Sequence, residues 1–308
     1  MRGESFNMTN IDALLPRILM TAQRAGEAIL KIYNGTINVT LKDDRSPLTE
    51  ADQASHKIIE HALAATAFSS GPGSPSAYLP VLSEEGRNIP YSERRAWEYF
   101  WLVDPLDGTK EFIKKNGEFT VNIALIHRTK PVLGVIYVPV TGVYYFAARG
   151  LGSYIMRNGD VLNGSMKAAE DGLKAILHLS RKLPLDALAA DQPGSRKLVI
   201  AGSRSHATPE LESFVNDMKK TYGEVEFVPA GSSLKFCLVA EGRADIYPRL
   251  GPTMEWDTAA GHIIVEEAGG TVLRNDAPEP LRYNKENLLN PWFIVQGSPF
   301  KTEGHSNT

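Results

Sequence analysis

Three apolar runs in this chain end in carboxylates. Val81-Leu82-Ser83 leads into Glu84-Glu85, Leu102-Val103 leads into Asp104-Pro105-Leu106-Asp107-Gly108-Thr109, and Met254-Glu255-Trp256-Asp257 follows a loop. Carboxylates delivered by strand ends and helix starts can converge on one edge of a fold. There they repel and hold their protons unless a cation joins them. A set of hard oxygen donors with no soft partner selects magnesium or manganese over zinc or copper. Pro105 fixes the chain so that Asp104 and Asp107 can face one point, with the Leu106 carbonyl between them. Gly108 allows a tight turn, and Thr109 opens a helix-like stretch whose free N–H groups can hold a phosphate. Alone, this hexapeptide is equally an Asx-capped turn. The Glu84-Glu85 strand end and Trp256-Asp257 tip the reading toward a metal site.

The elements that must position these groups follow from periodicity. Residues 11–32 place Ile11, Leu14, Leu15, Ile18, Leu19, Ala22, Ala25, Ile29 and Ile32 on one helical stripe, and Pro16 is tolerable only near its first turn. Residues 36–41 alternate like a short strand, residues 50–67 form a second helix, and the breaker-rich stretch 69–80 is a loop. Stretches 119–126, 132–138 and 142–147 read as strands whose short connections imply an antiparallel meander. Polar residues 158–175 mark a seam between an N-terminal α+β half, 1–165, and a C-terminal α/β half, 166–308. In the second half, strands at 198–201, 225–228 and 244–247 alternate with helices at 210–222, 232–241 and 258–268. The aromatic strings around Trp97–Trp101 and Tyr144–Phe146 belong to packing rather than to a base-stacking platform.

At 308 residues the chain is long enough for two domains or one large layered domain. A formal net charge of -3 does not describe a surface coated for nucleic acid, so an anionic substrate must be small and held by local positive groups. The single cysteine, Cys237, cannot form an internal disulfide and lies in an apolar run, as a core residue does. No secretory signal and no stretch long enough to span a bilayer are visible, so a cytoplasmic protein is the default. Peripheral attachment to the inner membrane and a homodimer are left open.

Asp104-Pro105-Leu106-Asp107-Gly108-Thr109 together with Trp256-Asp257-Thr258-Ala259-Ala260-Gly261 resembles the paired signature of the inositol-monophosphatase superfamily. Thr49-Glu50-Ala51-Asp52 and Ser83-Glu84-Glu85 match its two upstream motifs in order, so the resemblance covers nearly the whole chain. It implies an α/β fold, a layered αβαβα sandwich, and a lithium-sensitive phosphatase using two or three Mg²⁺ ions, with Mn²⁺ as a substitute. Lys110-Glu111-Phe112, Ser203-Arg204-Ser205-His206 and Gly231-Ser232-Ser233-Leu234-Lys235 resemble the branch that acts on 3'(2'),5'-bisphosphate nucleotides. An inositol- or sugar-phosphate phosphatase is the alternative. Departures at 69–80 and 158–196 bear on substrate detail.

By that resemblance Glu84, Asp104, Asp107, Asp257 and the Leu106 carbonyl hold the metal. Two ions about 4 Å apart clamp the attacking and leaving oxygens of an in-line displacement. Thr109 and Asp52 orient the attacking water, Asp52 accepting its proton through Thr109, with no phosphoenzyme. Gly108, Thr109, Lys110, Ser203, Arg204, His206, Gly231 and Lys235 are the implied substrate contacts, Arg204 and Lys235 pairing with a second phosphate. The residues' own patterns leave blander readings beside these. Asp52 is equally a first-turn helix residue, Glu85 a solvated carboxylate, His206 a helix-start residue near Pro209, and Lys235 part of a solvated helix face. A non-catalytic metal-binding protein is the reading from a different class. The water-orienting pair Asp52 and Thr109 argues against it, because a mere binder has no use for it.

Overall fold

The computed structural model describes residues 8–35, 39–41, 47–69, 76–157, 172–185, 197–203 and 208–298. Helix α1, Met8–Tyr33, buries the expected stripe from Ile11 to Ile29. It begins about a turn earlier than the periodicity suggested, so Pro16 falls in its interior. Two short ribbons pair β1, Val39–Leu41, with β2, Pro47–Thr49, and β3, Ala67–Phe68, with β4, Ala77–Tyr78. Between them runs α2, Glu50–Ala64.

A seven-stranded sheet follows, from β5, Val81–Ser83, and β6, Tyr99–Asp107, through β7, Thr120–His127, β8, Lys130–Val138, β9, Val143–Ala148, and β10, Gly152–Arg157, to β11, Ser180–Lys182. The strands lie side by side in chain order, all antiparallel except β5 and β6. The meander expected over 119–147 is its centre. Short helices α3, Tyr91–Arg94, and α4, Thr109–Ile113, flank β6, and α5, Gly172–Leu179, leads into β11. The chain therefore stays with this sheet past the 165/166 division placed from polarity, because Gly172–Lys182 packs back on α1 and β10. Residues 158–171 of the expected seam lie outside the described residues.

The second sheet orders β13, Val225–Ala230, β12, Leu198–Ser203, β14, Ile246–Arg249, β16, Phe293–Gln296, and β15, Thr271–Arg274. Its helices are α6, Pro209–Tyr222, α7, Leu234–Glu241, and α8, Glu255–Glu267. Three core clusters define five layers. Trp101, Val103, Phe146 and their neighbours pack under α1 and α2. Phe100, Leu102, Tyr145 and their neighbours fill the space between the sheets together with α7 and α8. Leu198, Ile200 and Ile246 face Met218 and Phe214 of α6 on the far side. The order is therefore αβαβα. Strands covered on both faces have no polar face to show, which is why β6 from Tyr99 to Val103 and β8 from Val132 to Val138 read as apolar runs.

One glycine sets how closely the layers approach. A Cβ on Gly134 of β8 would lie 2.5 Å from Ile263 Cγ2 and 2.7 Å from the Ala260 carbonyl oxygen. Only glycine lets α8 lie this close to the seven-stranded sheet, and α8 carries Asp257. Among the described residues no helix is long and apolar enough to cross a membrane.

Candidate functional site

Glu84 directly follows β5, and its backbone N–H donates to the Val103 carbonyl at 3.1 Å, which fixes it beside the end of β6. Asp104 sits in β6 just before the ladder with β7 becomes irregular between Asp104 and Asp107. The disturbance follows from Pro105, which has no N–H to donate. Its carbonyl accepts instead from Ser55 Oγ of α2 at 2.7 Å. Asp104 Oδ1 accepts the Leu106 N–H at 3.0 Å, closing a local turn inside the strand. Helix α8 begins at Glu255, earlier than the expected 258, because Asp257 caps it: its Oδ2 accepts the Met254 N–H at 2.8 Å.

Glu84, Asp104 and Asp257 each present a carboxylate oxygen, and these oxygens lie within 4.8 Å of one another. Asp104 is 1% exposed. Burial, then the charges of Glu84, Asp107 and Asp257, push its carboxyl well above the ordinary carboxylate range. Burial, then Asp107 and Glu84, do the same to Asp257, with the Met254 N–H and Arg249 opposing. Such a group either keeps protons or receives a cation, and its hard oxygens fit a hard divalent ion.

Asp107, expected beside them, is not among the carboxylates that close to 4.8 Å. Its Oδ2 accepts from Ser232 Oγ and Ser233 Oγ, each at 2.7 Å, with Asn122 Nδ2 at 3.5 Å. Its charge still acts on both Asp104 and Asp257. The Leu106 carbonyl lies 3.5 Å from Thr109 Oγ1.

Asp52 caps α2 with one carboxylate oxygen and meets Thr109 with the other. Its Oδ2 accepts the Thr49 N–H at 2.7 Å and the Thr49 hydroxyl at 2.6 Å, capping α2. Its Oδ1 accepts from Thr109 Oγ1 at 3.3 Å, across 57 residues of sequence. Gly108 precedes α4 with φ +92, and a Cβ there would come 3.1 Å from the Glu118 carbonyl oxygen. This left-handed residue turns Thr109 toward α2. Glu85 accepts from Gln53 Nε2 at 3.3 Å.

A pocket beside the carboxylates is bordered by Gly108, Lys110, Ser203, Gly231 and Lys235, all expected contacts, and by Asp107 and Asp257. Arg204 and His206 lie outside the described residues. The solvated-face reading of Lys235 does not hold. The residue is buried, donating from Nζ to the Ser232 carbonyl at 2.6 Å and to the Ala230 carbonyl at 3.2 Å. Burial lowers its pKa to about 8, with Asp107 opposing.

Sequence reasoning missed Arg249, which ends β14 on the pocket wall, together with Thr120 and Asn122, and read Ser232 and Ser233 only as part of a nucleotide-contacting segment. Asn122 carried a usable signal, since an amide inside the apolar run 119–126 must find buried partners. Arg249 carried none, because its place depends on sheet order. A larger groove of about 770 Å³ between α1 and α2 contains none of the candidate residues.

The comparisons with known proteins agree with this architecture. A sequence profile described as the inositol monophosphatase family matches residues 13–296. The 3'(2'),5'-bisphosphate nucleotidase CysQ of Shigella flexneri is 42% identical over 92% of this chain and 99% of that protein. Its counterpart in Escherichia coli K12 is 41% identical over the same shares. The crystal structure of CysQ from Bacteroides thetaiotaomicron superposes with a TM-score of 0.77 at 47% identity, covering 92% of this chain and 98% of that one.

Proposed function

Because the chain belongs to the inositol monophosphatase family, we propose that it is a Mg²⁺-dependent phosphomonoesterase that removes the 3'-phosphate of 3'-phosphoadenosine 5'-phosphate, releasing AMP. The observation that carries the reading is the convergence of Glu84, Asp104 and Asp257 within 4.8 Å. The Thr109–Asp52 contact in the same motif supports it. The preference for a bisphosphate nucleotide is supported by the relatives' names and by the cationic wall of Lys110, Lys235 and Arg249 beside the carboxylates.

Glu84, Asp104, Asp257 and the free oxygen of Asp107 would hold Mg²⁺, with the Leu106 carbonyl as a further donor. When bound, the ion polarises phosphoryl oxygens and makes a water acidic near neutral pH. The chain's own residues do the positioning, which carries most of the catalysis in phosphoryl transfer. Thr49 grips Asp52 Oδ2 by two hydrogen bonds and so stops the carboxylate from rotating. Asp52 Oδ1 then aims at Thr109, whose hydroxyl passes the proton of an attacking water to it. The Lys235 ammonium, with a pKa of about 8, keeps its proton at neutral pH and can pair with the second phosphate.

The test compares initial rates on 3'-phosphoadenosine 5'-phosphate and inositol 1-phosphate in Mg²⁺, repeated with Mn²⁺. Faster turnover of the nucleotide is expected, with activity retained in Mn²⁺. Preference for the inositol ester would overturn the substrate assignment, and no turnover of either would overturn the reaction.

A further inference from the structure

Ser232 is one of four described non-glycine residues with a positive φ, at 52°. A serine pays steric energy to stand there, and such strain persists only where the surroundings over-determine it. What holds it is visible. Its hydroxyl lies 2.7 Å from Asp107 Oδ2 and 2.7 Å from Thr120 Oγ1, while its carbonyl accepts from Lys235 Nζ at 2.6 Å. Its neighbour Ser233, 2% exposed, reaches the same Asp107 oxygen at 2.7 Å and accepts from Asn122 Nδ2 at 2.9 Å. This conformation also delays α7, which starts at Leu234 rather than at the expected 232.

Each serine hydroxyl has one proton. Ser233 Oγ also lies 3.0 Å from the Asp257 carbonyl, but Asp107 Oδ2 is nearer at 2.7 Å and takes the proton. The two short hydroxyl bonds, with Asn122 Nδ2 at 3.5 Å beside them, occupy the lone pairs of Asp107 Oδ2. Oδ1 makes no hydrogen bond among the described residues, so it is the only oxygen Asp107 can offer to a cation.

We infer that Ser232 and Ser233 are positioning residues: they lock Asp107 as a one-oxygen metal donor and tie the pocket wall 231–235 to the cation site. The inference rests on the reading of the carboxylates as a Mg²⁺ site. The same wall that would contact the nucleotide holds a metal donor in place, so the two ligands share one support. By linkage, whatever one gains in affinity from the other is returned by the same factor.

Ser232→Gly separates the hydroxyl from the backbone. It removes the hydrogen bond to Asp107 while glycine accepts the left-handed conformation without strain. Mg²⁺ affinity is measured by titration calorimetry on the unliganded protein, with thermal melting as the companion measurement. A hydrogen bond to a charged group has a strength that predicts about a tenfold or greater loss of Mg²⁺ affinity. The metal-free variant loses the same hydrogen bond and is relieved of the backbone strain, so its melting temperature should fall by about 5 °C at most, and Ser233→Ala should add to the loss of affinity. An unchanged affinity in Ser232→Gly would overturn the inference. So would a drop in its metal-free melting temperature of about 10 °C or more, which would assign the hydroxyl to packing. A wild-type protein that binds no Mg²⁺ would instead sink the metal-site reading on which all of this rests.

Discussion

Replacing Asp104 by asparagine should make the metal-free protein more stable and the Mg²⁺-bound protein less so. Asp104 is buried beside Glu84, Asp107 and Asp257, and its carboxyl titrates well above the ordinary range. The native state therefore holds this proton more tightly than the unfolded chain. Its contribution to stability is fully present below the unfolded value of about 4 and is lost as pH rises through the native value. Each factor of ten in proton affinity is worth about 1.4 kcal/mol. For 308 residues the unfolding entropy is about 0.65 kcal/mol per degree, so each such factor costs about 2 °C of melting temperature at neutral pH. Asparagine keeps the side-chain oxygen that accepts the Leu106 N–H and removes the charge, so the metal-free variant should melt about 2 °C or more higher at pH 8. One Mg²⁺ at a hundred times its dissociation constant stabilises the wild type by about 2.7 kcal/mol, or about 4 °C, and this gain should shrink toward pH 5 as protons compete. The assay is differential scanning fluorimetry of both proteins with and without Mg²⁺ across pH 5–8. Equal Mg²⁺ stabilisation of the two proteins, or a metal-free Asp104→Asn that melts below the wild type at pH 8, would refute the electrostatic account.

Thr109→Ala should lower the rate constant by about 10²–10⁴ while Mg²⁺ affinity by calorimetry stays within about twofold, since Thr109 contacts Asp52 and reaches the metal donors only through a long 3.5 Å contact to the Leu106 carbonyl. Gly134→Ala should cost about 1–3 kcal/mol in denaturant unfolding and weaken Mg²⁺ binding, because the new methyl meets Ile263 and Ala260 and pushes α8 with Asp257 outward. Lys235 has its native pKa lowered by burial to about 8, so the folded state loses its proton before the unfolded state does. Its contribution is present above pH 10.5 and is lost as pH falls toward 8, so wild-type stability should rise by about 3 kcal/mol relative to Lys235→Met between those values. Equilibrium unfolding across that window measures it, and parallel profiles would contradict the burial.

The sequence by itself determined the helices whose apolar face repeats, as in α1 and α6, and the meander over 119–147, whose apolar runs are split by short turns. Residue type and spacing suffice there, because each element buries its own stripe. It also singled out Glu84 and Asp104, since carboxylates at the ends of apolar runs are visible without coordinates, and Asp257 beside Trp256 after a loop. The family resemblance implied a water-orienting role for Asp52, which local pattern reads as a first-turn helix residue. Strands β11, β15 and β16 carry weak patterns and draw their pairing from neighbours farther along the chain, and β10, though it pairs with adjacent β9, has too weak a pattern to stand out.

Only the tertiary structure decided that Asp52 Oδ1 meets Thr109 across 57 residues and that Lys235 is buried rather than solvated. It alone decided that Ser232 and Ser233 take one oxygen of Asp107, and that Arg249 borders the pocket. The physical reason is one of range. Periodicity and capping are set by residues within a turn or two of each other, whereas the state of a buried polar group depends on which distant groups desolvate it and which supply its hydrogen bonds.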